Sequence, residues 1–154
     1  MRTGVRVREI MTRKPITASK DCSIRFCAQV MKEKNVGSLL ITRDQHLLGV
    51  LTKSDIITEI VAEGRLPASV PAEEIMTQEI ITIHPDKDLY HALVLMKNND
   101  IRHLPVIEQD ALIGYITIKD IIKINPALFE LIRDTIYLRE EERKIRAHID
   151  EPDL

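Results

Sequence analysis

Apolar residues recur along the chain in two rhythms, one typical of helices and the other typical of strands. After Ser23 they fall at intervals of three and four residues, and the same spacing returns after Asp88. The two apolar stripes are Ile24, Cys27, Ala28 and Met31, then Leu89, Ala92, Leu93 and Met96. This spacing predicts two amphipathic helices, each begun by a good N-cap residue.

Two short apolar runs follow each helix and are separated by a polar turn. They are SLLIT and LLGVLT around RDQH, then LPVI and LIGYIT around EQDA. Each pair predicts a β-hairpin. A further extended piece precedes each helix, at Pro15–Ala18 and at Ile80–Ile83, and a second helix follows each hairpin. The predicted order is β-α-β-β-α, with the first two strands parallel because a helix connects them.

The two halves of this pattern are copies of each other. Ile10-Met11-Thr12 recurs 65 positions later as Ile75-Met76-Thr77, and the agreement continues without a gap as far as Asp55 and Asp120. A three-stranded sheet with helices on one side leaves its other face bare. We therefore expect an α/β (α+β) fold in which the two copies pack sheet to sheet.

The repeat also predicts the domain organisation. The first copy spans residues 5–62, and EGRLPASVPAEE at 63–74 has the Gly and Pro content of a linker. The second copy spans 75–125. After it, a C-terminal helix is predicted over 126–149, with Asn125 as its N-cap and Pro126 in its first turn.

Composition and charge narrow the classes of function. Of 154 residues, 44% are hydrophobic and 30% charged, and the net charge is -2. Without a clustered basic run, nucleic acid is not expected as a partner. No segment approaches the roughly 20 apolar residues of a membrane span, so no membrane partner is expected either. Cys22 and Cys27 lack the second half of a zinc site, and we expect free thiols in a reducing, cytoplasmic compartment.

The chain lacks the residue patterns of an enzyme. It has no Gly-rich phosphate loop, no G-x-S-x-G and no recognisable pairing of a nucleophile with a base. We therefore expect no catalysis, no metal and no catalytic cofactor.

The candidate chemistry lies in two related stretches, GVLTKSD at Gly49–Asp55 and GYITIKD at Gly114–Asp120. In both, Thr and Asp stand three residues apart, which is the spacing of a capping box. Such a pair stabilises a helix start by roughly 0.5 to 1 kcal/mol per residue. Any duplicated domain would repeat it, so the pattern alone does not demand a binding site.

The same residue types also suit a nucleotide. A Thr at a strand-to-helix turn lies beside free backbone N–H groups and the positive helix end, which favour phosphate. One turn later, a carboxylate can accept from both hydroxyls of a ribose. Gly49 and Gly114 would let a ligand approach the last strand of each copy closely. Both interpretations remain open at this level.

The order and duplication of these motifs resemble a tandem pair of CBS domains (the cystathionine β-synthase regulatory repeat), also called a Bateman module. The resemblance covers residues 5–125 and is carried by IMT before each first strand, by GVLTKSD and GYITIKD, and by IRHLPVI at Ile101–Ile107. It implies two repeats around a pseudo-twofold axis. Two clefts between them would bind AMP, ADP, ATP or S-adenosylmethionine.

The resemblance also implies roles for individual residues. Asp55 and Asp120 would bind ribose hydroxyls, and Thr52 and Thr117 would contact phosphate. The adenine pocket would be lined by first-strand segments and by residues before the second strand, namely Ile16, Thr17, Ile81, Thr82, Gly37 and Ser38.

The copies differ just before their second strands. The second copy has Arg102-His103 where the first has Gly37-Ser38. In the family, basic residues at this position often reach phosphate, which a guanidinium binds with two hydrogen bonds. His103 would add a donor and pH sensitivity. The alternative is a solvated Arg102 beside a strand-edge histidine. With the ligand role, we expect two unequal sites.

Together these features predict a regulatory module, paired into a homodimer, that senses adenine nucleotides or S-adenosylmethionine for a regulated protein that the sequence does not identify. The alternative is a scaffold without ligand. In that case Thr and Asp only cap helices, and the C-terminal helix recruits a partner or completes a dimer.

Overall fold

The structure is a computed structural model that describes residues 1–130 and Arg133. The strands are β1 Thr17–Ser19, β2 Ser38–Arg43, β3 His46–Thr52, β4 His103–Glu108 and β5 Ala111–Thr117. The α-helices are α1 Val7–Ile10, α2 Ile24–Lys34, α3 Lys53–Ile56, α4 Leu89–Asn99 and α5 Ile118–Ile124. A π-helical turn, Ile57–Val61, continues α3, and 3₁₀ turns occupy Pro67–Ser69, Ala72–Glu74 and Pro126–Phe129. This mixture of small sheets and helices confirms the predicted α+β class.

The first copy forms the predicted β-α-β-β-α order. Strand β1 pairs with β2 in parallel, and β2 pairs with β3 in antiparallel fashion. Helix α2 buries its apolar stripe against one face of this sheet. The core on that face consists of buried side chains from the helix and from alternate strand positions, including Ile24, Cys27, Met31, Leu39, Ile41 and Leu51.

The predicted strand Ile80–Ile83 of the second copy does not form a ladder. Only Ile83 makes a bridge, in parallel with Val106. In the first copy, the N–H of Leu40 donates to the carbonyl of Ile16 at 3.3 Å. The residue equivalent to Leu40 is Pro105, which has no N–H, so the carbonyl of Ile81 lacks that donor. The strand prediction was therefore wrong here, although Pro105 was visible in the sequence.

The described residues divide into two compact units. Unit 1 contains residues 1–11, 85–104 and the described residues from Ile116 on, and unit 2 contains residues 12–84 and 105–115. The units do not coincide with the copies of the repeat. The hairpin of β4 and β5 contributes residues to both.

The units also differ from the copies because the copies exchange short leading segments. We define these leading segments as residues 5–8 of the first copy and residues 70–73 ahead of the second. Each segment makes three backbone hydrogen bonds to the start of the central helix of the other copy, and the two sets are related by the 65-residue repeat. In unit 1 the bonds join Val7 N to Lys87 O, Arg8 N to Pro85 O, and Leu89 N to Val5 O, at 2.9 to 3.0 Å. In unit 2 they join Ala72 N to Cys22 O, Glu73 N to Lys20 O, and Ile24 N to Val70 O, at 2.8 to 3.1 Å.

Segment 63–74 therefore does more than connect the two copies, because part of it packs into the core of unit 2. Val70 and Ala72 are buried within the core of unit 2, beside the residues of α2. The segment contains two 3₁₀ turns and no strand or long helix, which agrees with its Gly and Pro content.

The C-terminal helix predicted over 126–149 lies largely outside the described residues. Within them, Pro126 opens a 3₁₀ turn and Leu128 is buried, while the Asn125 side chain makes no capping bond. Across the described residues, no helix combines the length and apolar character needed to cross a bilayer.

Candidate functional site

The Thr–Asp pairs of both copies form complete capping boxes. The Asp55 carboxylate accepts the backbone N–H of Thr52 at 2.8 Å, and Thr52 Oγ1 accepts the N–H of Asp55 at 3.1 Å. In the second copy the corresponding bonds between Thr117 and Asp120 measure 2.9 and 3.3 Å. The helix-start interpretation is thereby confirmed. If these Thr and Asp residues also bind a ligand, they must do so through side-chain atoms that make no hydrogen bond within the capping box.

Each box leaves one carboxylate oxygen unused. The backbone bond goes to Oδ2 of Asp55 and of Asp120, and no residue of the described chain donates a hydrogen bond to Oδ1. The threonines differ, because Thr117 Oγ1 also donates to Asp120 Oδ2 at 2.9 Å. Within the described chain the Thr52 hydroxyl accepts without donating. Its proton is therefore available to a ligand oxygen.

The backbone N–H groups at the two helix starts are largely occupied. Lys53 N donates to Gly37 O at 3.0 Å, and Ile118 N donates to Arg102 O at 2.9 Å. Since the N–H of each Asp is also bonded, one of the first three helical donors remains in each copy. Fewer backbone N–H donors are therefore available to a phosphate than the strand-to-helix pattern predicted.

The pairing of the first sheet gathers three of the predicted site residues on one face. Leu39, Ile41 and Leu51 point toward α2, so their alternating neighbours point the other way. Ser38 lies directly opposite Thr52 in the β2–β3 ladder. Thr17 is aligned with Leu40, two residues from Ser38 on the same face. Hydroxyl groups from three strands therefore line one side of the sheet in unit 2.

Other predicted residues of the adenine pocket lie elsewhere. The Ile16 side chain packs against the helix-facing core, so only its backbone is left for a ligand. Gly37 is exposed and contributes its carbonyl to the helix start. Ile81 and Thr82 also belong to unit 2. Thr82 and Ile80 line a cavity of ≈ 460 Å³ beside the tips of the two hairpins.

Arg102 and His103 lie in unit 1, next to the second capping box. Arg102 is exposed and its carbonyl anchors the start of α5, while His103 opens β4 and is half-buried. Burial lowers the pKa of His103 below its ordinary value. The imidazole is therefore neutral at pH 7, and Arg102 is the cation of this pair.

The space beside Gly49 is not open to a ligand. Met76, from the IMT motif of the second copy, occupies it and packs against the core of unit 2. Gly49 has no side chain, so the Met76 side chain can pack directly against the backbone of β3.

One residue of the site was missed from the sequence. The Tyr115 hydroxyl lies 3.1 Å from Ser38 Oγ, so a side chain from the second copy reaches the row of hydroxyls in the first. Burial raises the pKa of Tyr115, and the hydrogen bond with Ser38 opposes this. The available signal was Tyr115 itself, a polar aromatic residue within GYITIKD where the first copy has Val50.

Both copies of the repeat match a known protein family. A family model described as the CBS domain matches residues 7–62 and 72–126. The CBS domain-containing protein YhcV of Bacillus subtilis is 33% identical over 115 residues, which are 75% of this chain and 81% of that protein.

Two solved structures show the same architecture. A protein with CBS domains from Burkholderia ambifaria has a TM-score of 0.71 at 29% identity, covering 77% of this chain and 92% of that chain. The CBS domain pair of protein MJ0100, in complex with 5′-methylthioadenosine and S-adenosyl-L-methionine, has a TM-score of 0.69 at 30% identity. The superposition covers 78% of this chain and 98% of that pair.

Proposed function

The chain belongs to the family of CBS-domain proteins, with two copies of the domain, and from this membership we propose that it is a regulatory module that binds an adenosine-containing ligand. The resemblance drawn from its motifs is confirmed. A related CBS domain pair binds 5′-methylthioadenosine and S-adenosyl-L-methionine. AMP, ADP, ATP and S-adenosylmethionine are the ligands that we propose.

The observation that carries this proposal is the geometry of the two aspartates. The capping box fixes Oδ2 of Asp55 and of Asp120 against the backbone and leaves Oδ1 without a donor among the described residues. A carboxylate held in one orientation loses little conformational freedom when it binds, so it is preorganised to accept a ribose hydroxyl. We assign the ribose contacts to these two residues.

For phosphate, the geometry favours Thr52 and Arg102. The Thr52 hydroxyl retains its proton, and the exposed guanidinium of Arg102 is suited to bidentate contact. Thr117 and His103 are weaker candidates, because Thr117 donates to Asp120 and His103 is uncharged at pH 7. They remain proposed contacts, because a neutral imidazole carries one N–H donor and the Thr117 hydroxyl would donate to phosphate once it turned away from Asp120.

For adenine, support is strongest at Thr17 and Ser38, whose side chains lie on the same face of the first sheet. Ile16 and Gly37 would contribute backbone groups. In the second copy, Ile81 lacks the ladder donor at its carbonyl because Pro105 is opposite, which leaves an acceptor for an adenine amino group. Thr82, its exposed neighbour, is proposed to line the same site.

The proposed mechanism is a shift between conformations. A ligand that binds one conformation more tightly raises its population, and a regulated protein reads the difference. No catalysis is proposed. A reducing, cytoplasmic compartment is proposed as well, since Cys22 and Cys27 are both free thiols.

Thermal unfolding in the presence of AMP, ATP, S-adenosylmethionine and NAD tests the proposal. A ligand at 100 times its dissociation constant should add about 2.7 kcal/mol to the free energy of unfolding. The stabilisation should diminish in Asp55→Ala and in Asp120→Ala, whereas Glu59→Ala, an exposed change on the turn after α3, should keep it. Stabilisation of all three variants alike would place binding outside the proposed site.

A second candidate function is favoured by the completeness of the capping boxes. If Thr and Asp serve only helix starts, the protein is a scaffold that recruits a partner through the C-terminal helix predicted from the sequence. The scaffold predicts no thermal response to any of the four compounds. It also predicts that Asp55→Ala and Asp120→Ala change stability alone.

A homodimer is proposed for either function. Ile57, Val61 and Leu66 of unit 2 are largely exposed although apolar, and Ile57 and Val61 lie one helical turn apart. Light scattering after size exclusion should give twice the mass of the chain, and Val61→Glu should lower it. A wild-type protein of single-chain mass would contradict the dimer.

A further inference from the structure

The cavity of ≈ 460 Å³ beside the tips of the two hairpins is not explained by the proposed function, which uses only Thr82 of its lining residues. All of the lining residues belong to unit 2. Three of them, Leu47, Ile80 and Ile107, are half-buried apolar side chains. The volume lies within the range of about 300 to 1,000 Å³ that small-molecule sites occupy.

The polar rim of the cavity consists of four exposed residues, His46, Gln78, Thr82 and Asp110. The Asp110 side chain makes no hydrogen bond or ion pair with the residues that the structure describes, so both of its oxygens can accept. Gln78 and Thr82 can each donate or accept. Among the described residues, no lysine or arginine lines the cavity. The rim therefore favours a ligand that carries hydrogen-bond donors.

Hydrogen bonds between the two hairpin tips hold this rim in place. The N–H of Leu112 donates to the carbonyl of Gln45 at 3.0 Å, and Nδ1 of His46 lies 2.9 Å from the carbonyl oxygen of Asp110. Because a carbonyl oxygen can only accept, Nδ1 carries the proton in this contact. In a neutral imidazole, Nε2 is then a further acceptor, and its position is fixed before any ligand arrives.

The repeat provides an internal comparison for the charge around the cavity. The segments that line it are 46–47, 78–82 and 107–110, and apart from histidine their charged residues are Glu79, Glu108 and Asp110. The segments related to these by the repeat are 111–112, 13–17 and 42–45, and their charged residues are Arg13, Lys14, Arg43 and Asp44. The cavity is therefore bordered by negative charge, whereas the related position is mainly positive. A cation is attracted to the first position alone.

We propose that this cavity binds a small organic cation, namely a primary amine on an apolar body. The ammonium group lies at the Asp110 carboxylate and Nε2 of His46, and the body packs against Leu47, Ile80 and Ile107. An ammonium has three N–H donors and no acceptor, which complements the acceptors of the rim. The inference goes beyond the proposed function, because it concerns a different ligand class at a separate site.

The head group is tested with three probes that share one apolar body, phenethylamine, phenethyl alcohol and hydrocinnamate, each titrated into the full chain and followed by NMR. The amine should bind with a dissociation constant of about 1 mM, as expected for so small a ligand. The alcohol should bind about fivefold more weakly, because it lacks the ion pair with an exposed carboxylate. Hydrocinnamate is negatively charged and should not bind, and ethylamine should not bind because it has almost no apolar body.

Two matched variants test the role of Asp110. Asp110→Asn removes the charge and keeps the turn, since asparagine tolerates the positive φ of 61° at this residue. It should weaken the amine about fivefold and leave the alcohol unchanged. Asp44→Asn makes the same change at a residue that also has positive φ, in the other hairpin turn, but does not line the cavity. This control should bind the amine as the wild type does.

The imidazole signals locate the bound amine. The chain has five histidines, and the signal that disappears in His46→Asn belongs to His46. Phenethylamine should shift this signal. The signal of His91, which lies on α4 in unit 1 and is identified in the same way from His91→Asn, should stay in place.

The outcomes separate this site from the adenosine sites. If the alcohol binds as tightly as the amine, or if Asp110→Asn and Asp44→Asn weaken the amine equally, the ion pair with Asp110 is wrong. If the amine leaves the His46 signal unmoved at about ten times the expected dissociation constant, the inference fails. None of these results changes the adenosine proposal, which is tested by other ligands and by Asp55→Ala and Asp120→Ala.

Discussion

Met76 occupies the space in which a side chain at Gly49 would lie. A Cβ placed on Gly49 would be 2.7 Å from Met76 Cγ, closer than such atoms approach in folded proteins. A side chain at the start of the second copy therefore packs against a strand of the first. The glycine shared by GVLTKSD and GYITIKD has, at least in its first occurrence, a packing explanation.

Gly49→Ala should lower the free energy of unfolding by about 1 to 3 kcal/mol, the usual cost of overpacking a core. Gly37→Ala is the matched control, because a Cβ at Gly37 would meet nothing within 4 Å. Urea unfolding of both variants gives the comparison. Equal stability of the two would show that Met76 moves aside at no cost.

Two substitutions at Asp55 should separate helix capping from binding. Asp55→Ala removes both carboxylate oxygens and should lower the free energy of unfolding by about 1 kcal/mol. Asp55→Asn retains one oxygen for the Thr52 N–H, so most of that stability should return, while ligand binding stays weak because no second acceptor is left. Urea unfolding and calorimetry measure the two effects. Normal ligand binding by Asp55→Asn would exclude a role for Oδ1.

The stability of unit 1 should depend on pH through Asp88. Desolvation alone would raise the pKa of Asp88, but hydrogen bonds from Thr3, Tyr90 and Gly4 together lower it. Because the folded pKa lies below the ordinary aspartate value of about 3.9, the stabilisation is complete above that value and is lost as the pH falls through the folded pKa.

Asp88→Asn should therefore be less stable than the wild type at pH 7, and the difference should shrink as the pH falls below about 4. Asp21→Asn changes an exposed aspartate of unit 2 and serves as the control. Urea unfolding at several pH values measures the difference. A constant gap between Asp88→Asn and the wild type at every pH would contradict the assignment.

The two cysteines should differ in reactivity. Cys27 is fully buried, and burial together with the neighbouring Cys22 raises its pKa to about 11, although a backbone hydrogen bond opposes this. Since the thiolate is the reactive form, a thiol reagent at pH 8 should modify Cys22 in the folded protein and Cys27 after unfolding. Mass spectrometry counts the modified thiols, and Cys22→Ala should leave none reactive. Rapid labelling of Cys27 in that folded variant would show that the core opens easily.

The sequence predicted the elements whose signals are local. Helices α2 and α4 follow from apolar spacing with Ser23 and Asp88 at their starts, and the hairpins follow from apolar runs around polar turns. The strand at Ile80–Ile83 failed because its ladder depends on a donor that Pro105, about twenty residues away, cannot supply.

The candidate site was predictable only where its contacts join residues close together in the sequence. The Thr–Asp spacing identified both capping boxes, since these are contacts between near neighbours in the sequence. The contact between Ser38 and Tyr115 joins residues far apart in the chain and has no local signature. Ile16 and Thr17 are adjacent but face opposite sides of the sheet, and only the register of β1 shows which side faces the core.

The exchange of leading segments has a consequence for how such a protein can be divided. Val7 completes the start of the central helix in the second copy, and Ala72 does the same for the first. A polypeptide cut between the copies would separate each leading segment from the helix start with which it bonds, so neither half alone would retain these backbone hydrogen bonds. We therefore expect the folding of either half to depend on the presence of the other.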